Sequence, residues 1–64
     1  MKYQWWRIRI QFHAVSFHSG TYYSLRDVII ARGAVEKMVT GGTVAIQEYR
    51  EVEPQVYEWV DLIE

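Results

Sequence analysis

His13 and His18 are the two histidines of a 64-residue chain that has no cysteine. Imidazole serves as a general base and as a metal ligand. A gap of five residues, however, matches no common ligand spacing, and a site would need carboxylates gathered from elsewhere in the chain. The pair reads as two polar positions at the end of a strand, and neither a metal nor a cofactor is expected. Ser16, Ser19 and Ser24 are accounted for as strand, turn and helix-cap residues, which leaves no serine for a nucleophile and base arrangement. Gly41-Gly42 precedes a strand and lacks the lysine and following helix of a phosphate loop. Catalytic pockets usually enclose about 300 Å³ or more, which a single pair of thin layers seldom does. The expectation is a protein that is not an enzyme.

Recognition chemistry is better represented. The run YQWWRIRIQF at positions 3–12 sets Arg7 and Arg9 among aromatic residues. Such a pair can contact phosphates, hold a protein partner or fill the wet side of a sheet. Alternation decides where they point: Trp6, Ile8, Ile10 and Phe12 share one face, and Arg7, Arg9 and Gln11 the other, as in a half-buried strand. The apolar parity slips after Ala14, so a bulge near His13 to Val15 is expected to return Val15 and Phe17 to the core. Ser19-Gly20 is read as a tight turn, with Thr21 to Tyr23 folding back as a short second strand.

Ser24 to Asp27, S-L-R-D, is a capping box that opens a helix, with Asp27 placed where the helix dipole favours negative charge. Leu25, Val28, Ala31, Val35, Met38 and Val39 form its apolar stripe. Gly33 in mid-helix marks a close approach or a kink, and Thr40-Gly41-Gly42 ends the segment. TVAIQEY then gives a third strand with Val44 and Ile46 inward and Thr43, Gln47 and Tyr49 outward. Residues 50–55 contain Pro54 and read as a hairpin loop. Residues 56–63 form a last strand whose facing stays open, because Val56, Val60 and Leu62 share one parity and Tyr57, Trp59 and Ile63 the other. The order β-β-α-β-β implies a single α+β domain: an antiparallel sheet of three to four strands with one helix on one face.

At this size only about 60% of the unfolded surface is buried on folding. With no disulfide available, the 16% of aromatic residues must supply much of the packing. The net charge of −1 hides an asymmetry: residues 1–47 carry six basic and two acidic side chains, residues 48–64 one basic and six acidic. Neighbouring strands of opposite charge explain this through cross-strand pairs. The N-terminal sequence has arginines where a signal peptide would be apolar, and no run reaches the length of a membrane span. A soluble, cytoplasmic protein is expected.

The sheet face without a helix should display Arg7, Arg9 and Gln11, with Trp5 and His13, and Gln47 and Tyr49 from the third strand; of these, Trp5, Arg7, Arg9, His13 and Tyr49 are candidate contacts. Tyr22 and Tyr23 lie at the strand-to-helix corner, and Arg26 and Ile30 on the outer side of the helix. Tyr and Arg are favoured at protein interfaces, so these nine residues are the candidates for binding a larger host protein or complex. Two alternatives are a single-stranded nucleic-acid platform, in which aromatics stack on bases and arginines on phosphates, and a homodimer that hides the open sheet. The segments TYYSLRDVIIARGAVEKMV, GGTVAIQE and YEWVDL resemble, in their layout, the small single-domain proteins of phages and other mobile elements, among them anti-CRISPR inhibitors. That resemblance implies stoichiometric docking on a bacterial defence complex, and it carries over no functional residues.

Overall fold

The computed structural model describes residues 4–62. Its elements are β1 (Trp6–Phe12), β2 (Val15–His18), α1 (Leu25–Met38), β3 (Thr43–Glu53) and β4 (Val56–Asp61). The strands are antiparallel in the order β2-β1-β3-β4 and curl into a half-barrel with one helix, so the α+β, β-β-α-β-β expectation holds.

The β1 register fixes the two faces. Ile8 lies opposite Ile46 and Ile10 opposite Val44 on the helix side, while Arg7 lies opposite Gln47 and Arg9 opposite Ala45 on the other. α1 packs over β1 and β3. Trp6, Ile8, Val28 and Ile46 are buried between the layers, with Ile10, Tyr22, Ala31, Val35, Val44 and Leu62 packed around them. This is a thin core, and among the described residues four side chains carry its centre.

The helix starts as the cap requires. Ser24 is extended, and its Oγ accepts the Asp27 N–H at 3.4 Å. It ends one residue short of the apolar stripe: Val39 is extended, its N–H reaching the Val35 carbonyl at 3.0 Å. Met38, expected in the stripe, lies in the last turn of the helix and is 78% exposed, and Leu25 at the opposite end is also exposed. Gly33 marks no close approach, since a Cβ built there meets nothing within 4 Å, and the helix runs through it. Gly33→Ala should accordingly raise stability by about 1 kcal/mol through backbone entropy. Thermal unfolding should show a rise of roughly 4–8 °C for a domain of this size, and an unchanged or lower midpoint would contradict it.

The second strand differs from the expectation. β1 reverses at His13-Ala14, where His13 has φ 51°, and returns as Val15–His18 with Phe12 opposite Val15. A two-residue hairpin turn, not a bulge, resets the parity of Val15 and Phe17, and both stay exposed instead of entering the core, because the helix does not reach β2. The irregularity lies later, at Ser19-Gly20: Arg9 faces His18, yet Trp6 faces Tyr22, so the returning strand holds one extra residue. The Ser19 hydroxyl fills the gap by accepting the Ile8 N–H at 2.9 Å. Of Thr21 to Tyr23, only Tyr22 bridges to β1, exchanging two backbone hydrogen bonds with Trp6.

Residues 50–53 are strand where a loop was expected, and the reversal is confined to Pro54-Gln55. Pro54 supplies the fixed φ that favours the first central position of a turn. Gln55 takes φ 65° and donates its N–H to Glu51 Oε2 at 3.0 Å. A bulge between Glu51 and Glu53 precedes it.

Candidate functional site

The β3–β4 register settles the facing of the last strand. Asp61 lies opposite Gln47, Trp59 opposite Tyr49 and Tyr57 opposite Glu51, so these three residues join the arginine face. Val60 and Leu62 turn to the helix side, where Leu62 packs on the core. Ile63 lies outside the described residues.

Two arrays share that face. The first is aromatic. Tyr49 stacks on Trp5, with centroids 5.3 Å apart and planes at 20°, and on Tyr57 at 5.4 Å and 20°. It also meets Trp59 at 5.2 Å with a tilt of 48°. The Arg7 guanidinium carbon lies 4.3 Å from the Trp59 ring centroid, a cation–π distance. The second array is a polar ladder. Arg7 Nε donates to Gln47 Oε1 at 2.7 Å, and Gln47 Nε2 donates to Asp61 Oδ1 at 2.9 Å. Arg9 Nη2 donates to Asp61 Oδ2 at 2.7 Å, and Arg9 Nη1 donates to Gln11 Oε1. Gln11 Nε2 then reaches the His13 carbonyl at 3.3 Å. Gln47, at the middle of the ladder, is buried with both ends of its amide engaged.

Arg7 and Arg9 are thus half-buried and tied to their own sheet; neither is sealed under another element. Desolvation pulls the Arg7 guanidinium below its usual value, and it remains a cation. The hydrogen bond from Gln47 holds Asp61 below the ordinary carboxylate value; desolvation opposes this, and the hydrogen bond and charge of Arg9 add to it. A carboxylate with a lowered folded pKa contributes stability above its unfolded pKa and loses that contribution as pH falls through the folded value. Asp61→Asn should therefore flatten the loss of stability below about pH 4. The effect should be small, because Asp61 is 47% exposed and screened by solvent. Denaturant midpoints between pH 7 and pH 2 check it; parallel curves for the two proteins would contradict it.

The nine sequence candidates divide between two sides of the molecule. Trp5, Arg7, Arg9 and Tyr49 come together on the open face, and His13 closes the end of the ladder through its carbonyl. Tyr22 does not join them: its backbone is fixed to Trp6 and its side chain packs on the core. Tyr23 is exposed at the start of the helix, and Arg26 and Ile30 are exposed on the helix, all away from the open face. Gln47 is expected on this face but is not among the candidates, and Tyr57, Trp59 and Asp61 are absent from both. The signal for them was the open parity of residues 56–61: aliphatic residues suit the helix side, which leaves the aromatic parity and Asp61 to meet the arginines.

A shallow hollow of about 580 Å³ is lined by Trp6, Leu25, Glu48 and Arg50 and also by Tyr49 and Tyr57 of the aromatic array. Its polar wall is satisfied internally, since Trp6 Nε1 and Arg50 Nε both donate to Glu48, at 3.2 and 2.9 Å. Among the described residues, no group of three or more His, Asp or Glu side chains gathers in the manner of a metal site, and no helix is long and apolar enough to cross a membrane. Comparison with protein-family models, curated proteins and solved structures finds no match to this chain.

Proposed function

We propose that the chain is a non-enzymatic protein-binding module that docks stoichiometrically on a larger partner through its open sheet face. One observation carries this reading: Arg7 sits over Trp59 beside Tyr49, Trp5 and Tyr57, on the side of the sheet that the helix does not cover. Arg, Tyr and Trp dominate interface hot spots. Here the ladder through Gln47 already holds them in place, which lowers the ordering cost of binding.

The same geometry weighs against a nucleic-acid platform. Bases stack on ring faces, and several of these faces are already turned to one another. Arg7 and Arg9 spend donors on Gln47, Asp61 and Gln11, and Asp61 places a carboxylate on the face itself. The layout shared with small phage accessory proteins directs the search for the partner to the cytoplasm of a bacterial host, with a defence complex as the first bait.

Arg7→Glu with Arg9→Glu should reduce capture of the partner from host lysate by at least about 30-fold, the effect of a hot spot of some 2 kcal/mol. Immobilised protein, quantitative mass spectrometry of what it retains, and circular dichroism of the variant are the measurements. Equal capture by a folded double variant would remove this face from the interface. Retention of nuclease-sensitive material with a steep salt dependence would favour the nucleic-acid reading instead.

A further inference from the structure

We propose that the outer edge of β2 pairs with β2 of a second copy, joining two half-barrels into one eight-stranded sheet. This uses a strand edge and not the aromatic face, so it stands or falls separately from the binding role proposed above.

The helix packs over β1 and β3 and leaves β2 uncovered. Val15 and Phe17, on the helix side of β2, are consequently 52% and 54% exposed, with Phe17 in edge contact with Phe12 at 6.5 Å. The backbone alternation identifies which groups face outward. The Ser19 N–H bonds the Ile8 carbonyl, and in an antiparallel ladder every second residue bonds the same neighbour, so Val15, Phe17 and Ser19 face β1. Ser16 and His18 therefore present their N–H and C=O groups at the free edge.

Twofold antiparallel pairing can centre on Ser16, Phe17 or His18, and a centre at Phe17 would set the two rings against each other and leave Val15 opposite Ser19. A centre at His18 would set imidazole against imidazole and leave Phe17 opposite Ser19. A centre at Ser16 sets Val15 against Phe17 of the second copy, twice, on the helix side. Large against small apolar groups then meet across the joint, and the exposed pair on each copy covers the other. Charge selects this edge over β4. VSFH carries no formal charge, whereas VYEWVD would bring Glu58 and Asp61 from both copies to one seam, four carboxylates together. Proline, lysine and inward charges commonly blunt exposed edges, and β2 has none of them. Four residues per edge make a small interface, and small interfaces are weak, so the dimer should depend on concentration.

The absence of native cysteine makes the register directly readable. Ser16→Cys should form a disulfide-linked dimer under mild oxidation at least about 10-fold faster than His18→Cys. Opposed residues of a bonded antiparallel pair have Cα atoms about 5.5 Å apart, within disulfide reach, whereas the two His18 positions would lie several residues from each other. Sedimentation equilibrium of the unsubstituted chain up to about 1 mM should show its mass rising toward that of a dimer. Ser16→Pro removes only an outward N–H, as edge prolines do, and should abolish that rise with the far-ultraviolet spectrum retained. A monomer throughout the range, equal cross-linking at both positions, or a rise that survives Ser16→Pro would overturn the proposal.

Discussion

Ile8→Ala should unfold a measurable share of the protein at 25 °C. Ile8 is 1% exposed at the centre of β1, paired with Ile46 and part of the same buried cluster as Val28. Truncating a buried isoleucine to alanine costs about 2–5 kcal/mol, with the cavity left behind adding to the lost transfer energy. At about 0.05–0.15 kcal/mol per residue, a chain of this length has roughly 3–10 kcal/mol in total. The substitution thus removes a large fraction of the stability, where the same change in a large domain would be tolerated. Repacking offers little relief, because among the described residues four form the buried centre and Ile8 is one of them. Urea unfolding should show a much lower midpoint with an unchanged slope. A loss below about 1 kcal/mol would mean that the layers collapse onto the gap and that Ile8 is not the keystone its burial implies.

That keystone is legible in the sequence, and the reason is physical. Alternation in β1 and periodicity in α1 are one-dimensional records of burial on one side, so Ile8, Ile46 and Val28 could be assigned inward from spacing alone. The Ser24 cap was equally local: a hydroxyl beside the first free amides of a helix. Features that depend on where the chain turns were less legible. The parity change after Phe12 fits a bulge or a reversal equally well, and His13 is not a residue whose type announces a turn, although histidine visits the left-handed region more readily than most. Misplacing that reversal moved the second strand to Thr21–Tyr23 and put Tyr22 on the surface, whereas its pairing with Trp6 draws it to the core.

The open face was half legible for a related reason. Arg7, Arg9, Gln47 and Tyr49 follow from strands with one apolar parity. β4 has two apolar parities, aliphatic and aromatic, and composition does not rank them. Only pairing with β3 does so, by placing Trp59 beside Tyr49 and Asp61 beside Gln47. The acidic surplus of residues 48–64 resolves partly into this arrangement: Asp61 answers Arg9, and Glu48 answers Arg50 and Trp6. Much of what looked like a contact surface in search of a partner is thereby also a second layer of packing, in which rings and planar polar groups stabilise a sheet too small to rely on its helix alone.

Gly42→Ala should destabilise the protein by about 1–3 kcal/mol, the usual cost of inserting atoms into a well-packed site, and the adjacent Gly41 and the helical Gly33 provide the controls. A Cβ at Gly42 would lie 2.7 Å from the Gln11 carbonyl oxygen and 2.9 Å from two Phe12 ring atoms. The ring can swing, but the carbonyl belongs to a central strand held by partners on both sides, with Gln11 opposite Thr43 and Ser16. Relief must therefore come from moving the start of β3 away from β1. Gly41 has open space around it and a φ of 82°, so Gly41→Ala meets conformational strain of about 1–2 kcal/mol and no clash. Gly33→Ala meets neither and should stabilise. Thermal midpoints should rank Gly33→Ala above the unsubstituted chain and both others below it. Only Gly42→Ala should also disturb the near-ultraviolet signal, because Phe12 passes the displacement to Phe17 and the β2 edge. A Gly42→Ala protein with an unchanged midpoint and spectrum would show that β1 and the start of β3 are not in such close contact.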